Sequence, residues 1–283
     1  MDVYLCGVRG SVAAPGVEFA RYGGNTSCVA VAADAGHPTL VIDAGTGIRR
    51  VSALLGGRAF VGTILFSHLH WDHTQGLPFF AAADHAEARV HTLMPDGGQP
   101  AQGVLARFMT PPYFPIEPQE LAGSWHHDTL AEGVHLIEGF EVVAREVPHK
   151  GGRTFGYRIS DGRSSMAYIS DHEPTVAGPG PDGLGVYHDA ILDLARDVDL
   201  LLHDAQFRAE EMPAMAGFGH STVEYAVGLA RHARARRLLL FHHAPGRTDN
   251  ELDDIVASLP TTGDVGVGAA AEGEVVRLGP GRG

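Results

Sequence analysis

The strongest signal in this chain of 283 residues is the segment Ile64-Leu65-Phe66-Ser67-His68-Leu69-His70-Trp71-Asp72-His73. The apolar run at its start predicts the end of a buried strand. Four side chains able to bind a metal follow within six positions: His68, His70, Asp72 and His73. Histidine is the commonest transition-metal ligand, and carboxylates are frequent partners. Chance rarely places four ligands in this order behind a buried strand, so the segment predicts a site for two ions ~3.5–4 Å apart.

Other predicted strands also end in a residue that could bind a metal. The strand 140–147 leads through Pro148 to His149, the strand 166–170 to Asp171, and the strand 238–241 to His242 and His243. Residues at the same end of neighbouring strands converge in space, so we expect these side chains to join the first group. His243 is the substitute ligand if the register at His242 differs. For any single residue, ordinary packing or a turn is an equally good explanation, but it does not explain the whole set.

Composition limits the class of protein. Hydrophobic residues make up 44% of the chain and charged residues 19%, which favours a large core and excludes disorder. The residues Met1–Gly7 lack the basic and apolar segments of a secretion signal, and no apolar run is long enough to span a bilayer, so a cytoplasmic protein is expected. With 21 basic and 34 acidic residues the net charge is −13, which disfavours binding to a nucleic-acid backbone.

Many short apolar runs that stop at Gly, Asp or His predict strands, among them Phe155–Ser160 and Ser165–Ile169. The clearest helix is predicted over 221–234, where Val223, Ala226, Val227 and Ala230 share one face. Ser221 and Glu224 fit a capping box at its start.

These elements predict one domain over residues 1–283, with two β-rich halves and helices outside them. Residues from about 95 to 125 are dense in Gly, Pro and aromatic side chains. They are expected to form a long irregular excursion that acts as a lid or a mobile segment.

In type, order and spacing, the run His68-Leu69-His70-Trp71-Asp72-His73 with the later His149, Asp171 and His242 resembles the metallo-β-lactamase superfamily. The resemblance extends from Gly7 to about His243. It implies an α/β protein with a four-layer αβ/βα sandwich and a dinuclear metal centre. By the same resemblance, one ion is held by His68, His70 and His149, the other by Asp72, His73 and His242, and Asp171 bridges both. The expected ions are divalent, zinc first, although manganese and iron also suit such ligands.

Two further motifs narrow the subgroup. Leu202-His203-Asp204-Ala205 resembles the His-Glu-Ala-Thr motif of the ribonuclease Z group, with Asp204 in place of Glu and Gln206 in place of Thr. His220-Ser221-Thr222 resembles the His-Ser-Thr motif of that group. The chain is similar as well to bacterial phosphodiesterases that act on cyclic nucleotides or cyclic phosphoribose. It lacks a clear counterpart of the Gly/Pro-tipped arm by which ribonuclease Z grips tRNA.

The sequence therefore predicts a metal-dependent phosphodiesterase for a small phosphodiester such as a cyclic nucleotide. Asp72 would coordinate and orient the nucleophile. His220, oriented by Asp204, would contact the phosphate or protonate the leaving oxygen, and Asp43 would hydrogen-bond a ligand histidine. The alternatives are a ribonuclease Z-like RNA nuclease, a lactone or thioester hydrolase, and a non-catalytic metal-binding sensor. No membrane partner is expected, and the family resemblance is compatible with a homodimer.

Overall fold

The computed structural model describes residues 1–34, 36–259 and 265–279. Within these residues the strands form two seven-stranded sheets. The first sheet contains, in chain order, β1 (Asp2–Gly7), β2 (Cys28–Ala32), β3 (Leu40–Ile42), β4 (Val61–Leu65), β5 (Arg89–Pro95), β6 (Ser124–Leu130) and β14 (Val275–Arg277). The second contains β7 (Gly133–Ile137), β8 (Phe140–Glu146), β9 (Phe155–Ser160), β10 (Ser165–Ile169), β11 (Leu200–Asp204), β12 (Arg237–Phe241) and β13 (Gly266–Ala269).

The described helices are α1 (Ile48–Leu54), α2 (Trp71–Thr74), α3 (Ala101–Leu105), α4 (Asp189–Ala195), α5 (Met212–Met215), α6 (Val223–His232) and α7 (Asp249–Ser258). All of them except α2 and α5 pack on the outer face of a sheet. One apolar cluster lies between the two sheets. A second packs α1 and α3 on the first sheet, and a third packs α4, α6 and α7 on the second. Three apolar interfaces between four layers confirm the predicted αβ/βα sandwich.

The strand sequences explain why both faces of each sheet are covered. In β10, Met166 and Tyr168 belong to the cluster between the sheets, whereas Ala167 and Ile169 belong to the cluster beneath the helices. Successive side chains of a strand point to opposite faces. A strand that is buried at every position, as β10 is, therefore needs a packing layer on each side.

The direction of the strands brings the predicted site residues together. Strands β3 to β6 run parallel to one another, and so do β10 to β13. His68 follows the carboxyl end of β4, Asp171 that of β10, and His242 that of β12. In α/β sheets ligands bind beyond the carboxyl ends of parallel strands, so the topology puts the site at this edge of the sandwich.

Two local expectations differ from the structure. The segment after β5 is not irregular up to residue 125: it contains α3, and β6 begins at Ser124. Ala101 and Leu105 of α3 are buried against the first sheet, which anchors the segment. The helix α6 is capped by Thr222, whose hydroxyl accepts from the Tyr225 amide at 3.1 Å, and not by Ser221. None of the helices described here is long and apolar enough to cross a membrane.

Candidate metal centre

The structure brings all seven predicted metal ligands into one cluster. Ligand atoms of one group lie within 4.8 Å of one another, and so do those of a second group: His68, His70 and His149 in the first, Asp72, His73 and His242 in the second. The family resemblance implies these two sets, and further overlapping groups join them, among them His68, His73 and Asp171.

Asp171 lies between the two groups. Its Oδ1 is 3.4 Å from His242 Nε2, 3.7 Å from His149 Nε2 and 3.9 Å from His68 Nε2. Its Oδ2 is 3.1 Å from His73 Nε2. One carboxylate therefore faces both groups, as a bridging ligand must.

Local backbone geometry explains how short segments place these side chains in the cluster. The chain leaves β4 at Leu65 and enters α2 at Trp71, so that Asp72 and His73 lie on a single helical turn and are both buried. At the end of β12, His242 adopts a left-handed backbone conformation with φ 58°. Such a conformation is uncommon for a residue other than glycine and is concentrated at functional sites. It ends the strand while keeping the imidazole next to Asp72, with His242 Nε2 3.1 Å from Asp72 Oδ2.

Asp43 supports the cluster through hydrogen bonds. It is fully buried, and its Oδ2 accepts from His73 Nδ1 at 2.7 Å, Tyr168 Oη at 2.7 Å and Ser67 Oγ at 2.8 Å, while its Oδ1 accepts from the Ser67 amide at 2.7 Å. Because His73 Nδ1 is engaged by Asp43, Nε2 is the ring nitrogen that faces the cluster. Ligand histidines usually donate their other ring N–H to a carboxylate in this way. The structure thus places Asp43 where the sequence predicted a partner for a ligand histidine.

Three buried atoms in the cluster lack a hydrogen-bond partner: His68 Nε2, His73 Nε2 and Asp171 Oδ2. An unpaired buried polar atom costs about 1–3 kcal/mol, and natural proteins carry few of them. Here the three converge on one another, with His73 Nε2 and Asp171 Oδ2 only 3.1 Å apart. Bound cations would satisfy all three at once. The donor set of imidazole nitrogens and carboxylate oxygens therefore fits divalent transition-metal ions.

The electrostatics of the cluster also suit cations. Burial holds the pKa of His68 well below its usual value, and the neighbouring His73 lowers it further, so His68 is the neutral imidazole that a metal requires. Burial alone would lower the pKa of His73 as well, but Asp72, Asp171 and Asp43 raise it well above its usual value. Three carboxylates around one buried imidazole create a strongly negative pocket.

His220 and Asp204 form a pair beside the cluster. Asp204 is fully buried, and its Oδ2 accepts from His220 Nδ1 at 3.0 Å and from the amides of His172 and Ser221 at 3.0 and 3.2 Å. Its Oδ1 accepts from the Gln206 amide at 3.1 Å. The carboxylate is thus fixed by backbone donors and in turn orients the His220 ring, as the two motifs suggested.

Burial alone would lower the pKa of His220, but the carboxylate of Asp204, with those of Asp171 and Asp72 behind it, raises that pKa to about 9. The ring stacks on His242 with centroids 5.0 Å apart. His220 Nδ1 is also 3.8 Å from Asp171 Oδ1, and ring nitrogens of His220 lie within 4.8 Å of ligand atoms of three cluster residues, His149, Asp171 and His242. Sequence reasoning did not count His220 among the ligands.

The cluster opens to solvent through a mouth of about 400 Å³, lined by Ser11, Leu69, His70, Trp71, Asp72, Asp171 and His220. Sequence reasoning missed Ser11, whose amide donates to Asp72 Oδ2 at 2.7 Å and whose φ is 63°. The Gly/Pro-rich composition of residues 10–16 was the sequence feature that could have indicated a loop close to the site. Tyr168, which donates to Asp43, lies inside a buried apolar strand and gave no signal.

Histidines next to the predicted ligands point away from the cluster. His243 Nε2 donates to the Ala270 carbonyl oxygen at 2.9 Å, so His243 is not the substitute ligand. His172 Nδ1 is 3.3 Å from His203 Nε2, and His172 Nε2 is 3.0 Å from His188 Nε2. The register at His242 is therefore the expected one.

Comparison with known proteins agrees with this geometry. Residues 39–243, more than half of the chain, match the family model described as a β-lactamase superfamily domain. A ribonuclease Z of Natronomonas pharaonis is 26% identical over 277 residues, with 80% of this chain and 87% of that protein covered. One of Myxococcus xanthus is 28% identical over 240 residues, with 72% and 76% covered.

Solved structures share the fold over nearly the whole chain. A diphosphatase from the PhnP family has a TM-score of 0.72 at 18% identity, with 99% of this chain and 98% of that one covered. The short form of human tRNase Z has a TM-score of 0.68 at 20% identity, with 99% and 100% covered. At these identities the likeness shows the fold alone.

Proposed function

The chain is a metal-dependent hydrolase of the β-lactamase superfamily, and we propose that its substrates are phosphodiesters, with a small molecule such as a cyclic nucleotide as the preferred type. The observation that carries the proposal is the juxtaposition of two sets of metal-binding side chains with the Asp204–His220 pair. The two sets of side chains would hold the metal ions, and the Asp204–His220 pair would supply a proton donor that phosphodiester cleavage can use.

When bound, two divalent ions at this centre would supply an activated water and neutralise charge on the phosphoryl oxygens. The residues of the chain would position these parts. We assign His68, His70 and His149 to one ion, Asp72, His73 and His242 to the other, and Asp171 to both. Asp43 fixes the orientation of the His73 ring, and the Ser11 amide fixes that of the Asp72 carboxylate.

His220 would act on the substrate from the mouth, whose lining it shares with Asp72 and Asp171. Its Nδ1 is occupied by Asp204, which stabilises the protonated ring and leaves Nε2 as the nitrogen available to a ligand. A proton held at Nε2 is available to the oxygen that leaves phosphorus. Asp204 would be a positioning residue, since it reaches the substrate only through His220.

A small substrate is favoured by the charge of the chain. With a net charge of −13 the protein repels a polyanion at long range, whereas a single phosphodiester needs only the local charge of the metal centre. A ribonuclease Z-like activity is the second candidate. It is supported by the relatives, of which several carry the name ribonuclease Z at 26–28% identity over most of the chain.

The test is a panel of substrates offered to metal-replete protein: bis(p-nitrophenyl) phosphate, cyclic nucleotides, and a precursor tRNA at several salt concentrations. Asp72→Ala and a metal-stripped sample serve as controls. We expect turnover of the small diesters that is lost in both controls. Efficient tRNA cleavage that falls steeply with salt, without turnover of cyclic nucleotides, would support the second candidate instead. Hydrolysis of lactones or thioesters alone would contradict both.

A further inference from the structure

A second cleft adjoins the metal centre and shares part of its wall. Its cavity of about 460 Å³ lies between the loop of residues 68–71 and the segment that follows β5. Leu69, His70 and Trp71 line both this cleft and the mouth of the metal centre. The two cavities are therefore adjacent, and a ligand with its reacting group at the metal centre could reach the cleft by passing over these three residues.

The charge of the cleft is unusual for this chain. Acidic residues exceed basic ones by 34 to 21 in the sequence, yet the described lining contains two arginines, Arg107 and Arg153, and no carboxylate. Arg153 is neutralised, because its Nε donates to Glu146 at 2.7 Å and its guanidinium also pairs with Glu132 at 3.4 Å.

Arg107 differs from Arg153. It is exposed, its guanidinium donates to the Gln99 side-chain oxygen, and it forms no ion pair with a carboxylate in the part of the chain that the structure describes. Its positive charge is thus available to a ligand. Arginine binds phosphate oxygens through paired N–H donors, so the group that suits this position is a phosphate.

Part of the cleft wall is apolar. Trp71 is 77% exposed although it directly precedes Asp72, and the partly buried Phe108 and Val104 contribute further apolar surface. An exposed indole in the same cleft as a cationic side chain suits a planar ring that carries negative charge nearby. Nucleotides have both features.

We propose that this cleft binds the part of the substrate that is not cleaved, that this part carries a second phosphate, and that Arg107 is the residue that recognises it. The inference rests on the proposed phosphodiesterase function and specifies its substrate class. The second phosphate belongs either to a mononucleotide-sized molecule or to the next nucleotide of an RNA chain.

The test compares two esters with the same scissile bond: the p-nitrophenyl ester of thymidine monophosphate, and the same ester with a second phosphate on the sugar. We expect a kcat/KM higher for the second ester, mainly through a lower KM. Arg107→Ala should reduce the ratio of the two kcat/KM values about tenfold to a hundredfold, the loss typical of a charge-assisted hydrogen bond. Arg107→Lys should keep part of the preference.

Arg89→Ala is the matched control. Arg89 is an exposed arginine at the opposite end of β5, about 17–20 Å from Met94 and Pro95, the residues of that strand that line the cleft. Arg89→Ala should leave the ratio of the two kcat/KM values unchanged. A ratio near one in the wild-type protein, or a ratio that Arg107→Ala does not change, would exclude a mononucleotide-sized molecule as the source of the second phosphate and leave the RNA arm to decide.

A short RNA is tested in parallel to distinguish the two sources of the second phosphate. Arg107→Ala should lower kcat/KM for the RNA if the natural substrate is an RNA chain, and should lower it for the doubly phosphorylated ester if the natural substrate is a mononucleotide-sized molecule. Absence of the effect from both arms overturns the proposal. Calorimetric titration with thymidine bisphosphate gives a readout that needs no turnover. If binding depends on Arg107 but no ester is hydrolysed, the cleft is confirmed and the phosphodiesterase function is wrong.

Discussion

Replacing His220 with alanine tests the role of the Asp204–His220 pair. The substitution removes one charge-assisted hydrogen bond, from His220 Nδ1 to Asp204 Oδ2 at 3.0 Å, and one ring stacked on His242. Asp204 Oδ2 keeps its two backbone donors, so no buried carboxylate oxygen is left without a partner. The expected loss of stability is therefore moderate, about 1.5–3 kcal/mol, and the fold should persist.

The effect on activity should depend on the leaving group. General acid catalysis contributes about a hundredfold to ten-thousandfold, but p-nitrophenolate departs with little help from a proton. His220→Ala should therefore lower kcat for a cyclic nucleotide, whose leaving group is a sugar oxygen, by about a hundredfold or more. It should lower kcat for bis(p-nitrophenyl) phosphate by less than about tenfold.

Metal content should be unchanged in His220→Ala, and replacement of the exposed His126 by alanine should change neither rate. Equal losses for both substrates would refute the acid role and favour a contact to the phosphate. Loss of metal together with activity would show that His220 is a ligand or supports one.

Three further predictions concern the supports of the site. Asp43→Ala leaves four buried donors without their acceptor. Urea titration should show that the free energy of unfolding falls by at least about 3 kcal/mol, and metal titration should show an affinity about tenfold to a hundredfold lower. Wild-type values in both assays would contradict the role of Asp43. Thr222→Ala should lower the free energy of unfolding by about 1 kcal/mol in the same urea assay. Ser221→Ala should be neutral or slightly stabilising, because Ser221 Oγ is buried without a partner. A larger loss for Ser221→Ala than for Thr222→Ala would show that Ser221 is the cap. A chelator should lower Tm by several degrees, since a ligand at a thousandfold excess over its Kd stabilises the fold by about 4 kcal/mol; an unchanged Tm would contradict tight metal binding.

The ends of buried strands were predictable from the sequence because apolar runs and ligand residues are both local signals. The bounds of β9 and β10 are the predicted ones, and the seven predicted ligands lie in one cluster. A short, mostly apolar run has few alternatives to a buried strand. The end of such a strand fixes where the next residues lie, so the positions of the metal-binding residues were predictable too.

Features that depend on solvent exposure or long-range contacts were not predictable. The strand Ser124–Leu130 lies at the edge of its sheet and is mostly exposed, so its polar sequence carries no strand pattern. The hydrogen bond from Tyr168 to Asp43 joins residues 125 positions apart. The helix Asp249–Ser258 did have a local signal, the capping box of Thr248 and Glu251, which the sequence interpretation overlooked.

The central claim, a two-metal phosphodiesterase, is tested most directly by following activity against bound metal. Metal-free protein is titrated with zinc or manganese, the bound ions per chain are counted, and turnover of bis(p-nitrophenyl) phosphate is measured in the same samples. We predict that turnover appears as occupancy approaches two ions per chain and is absent from Asp72→Ala. A chain that binds two ions and cleaves no phosphodiester would contradict the account.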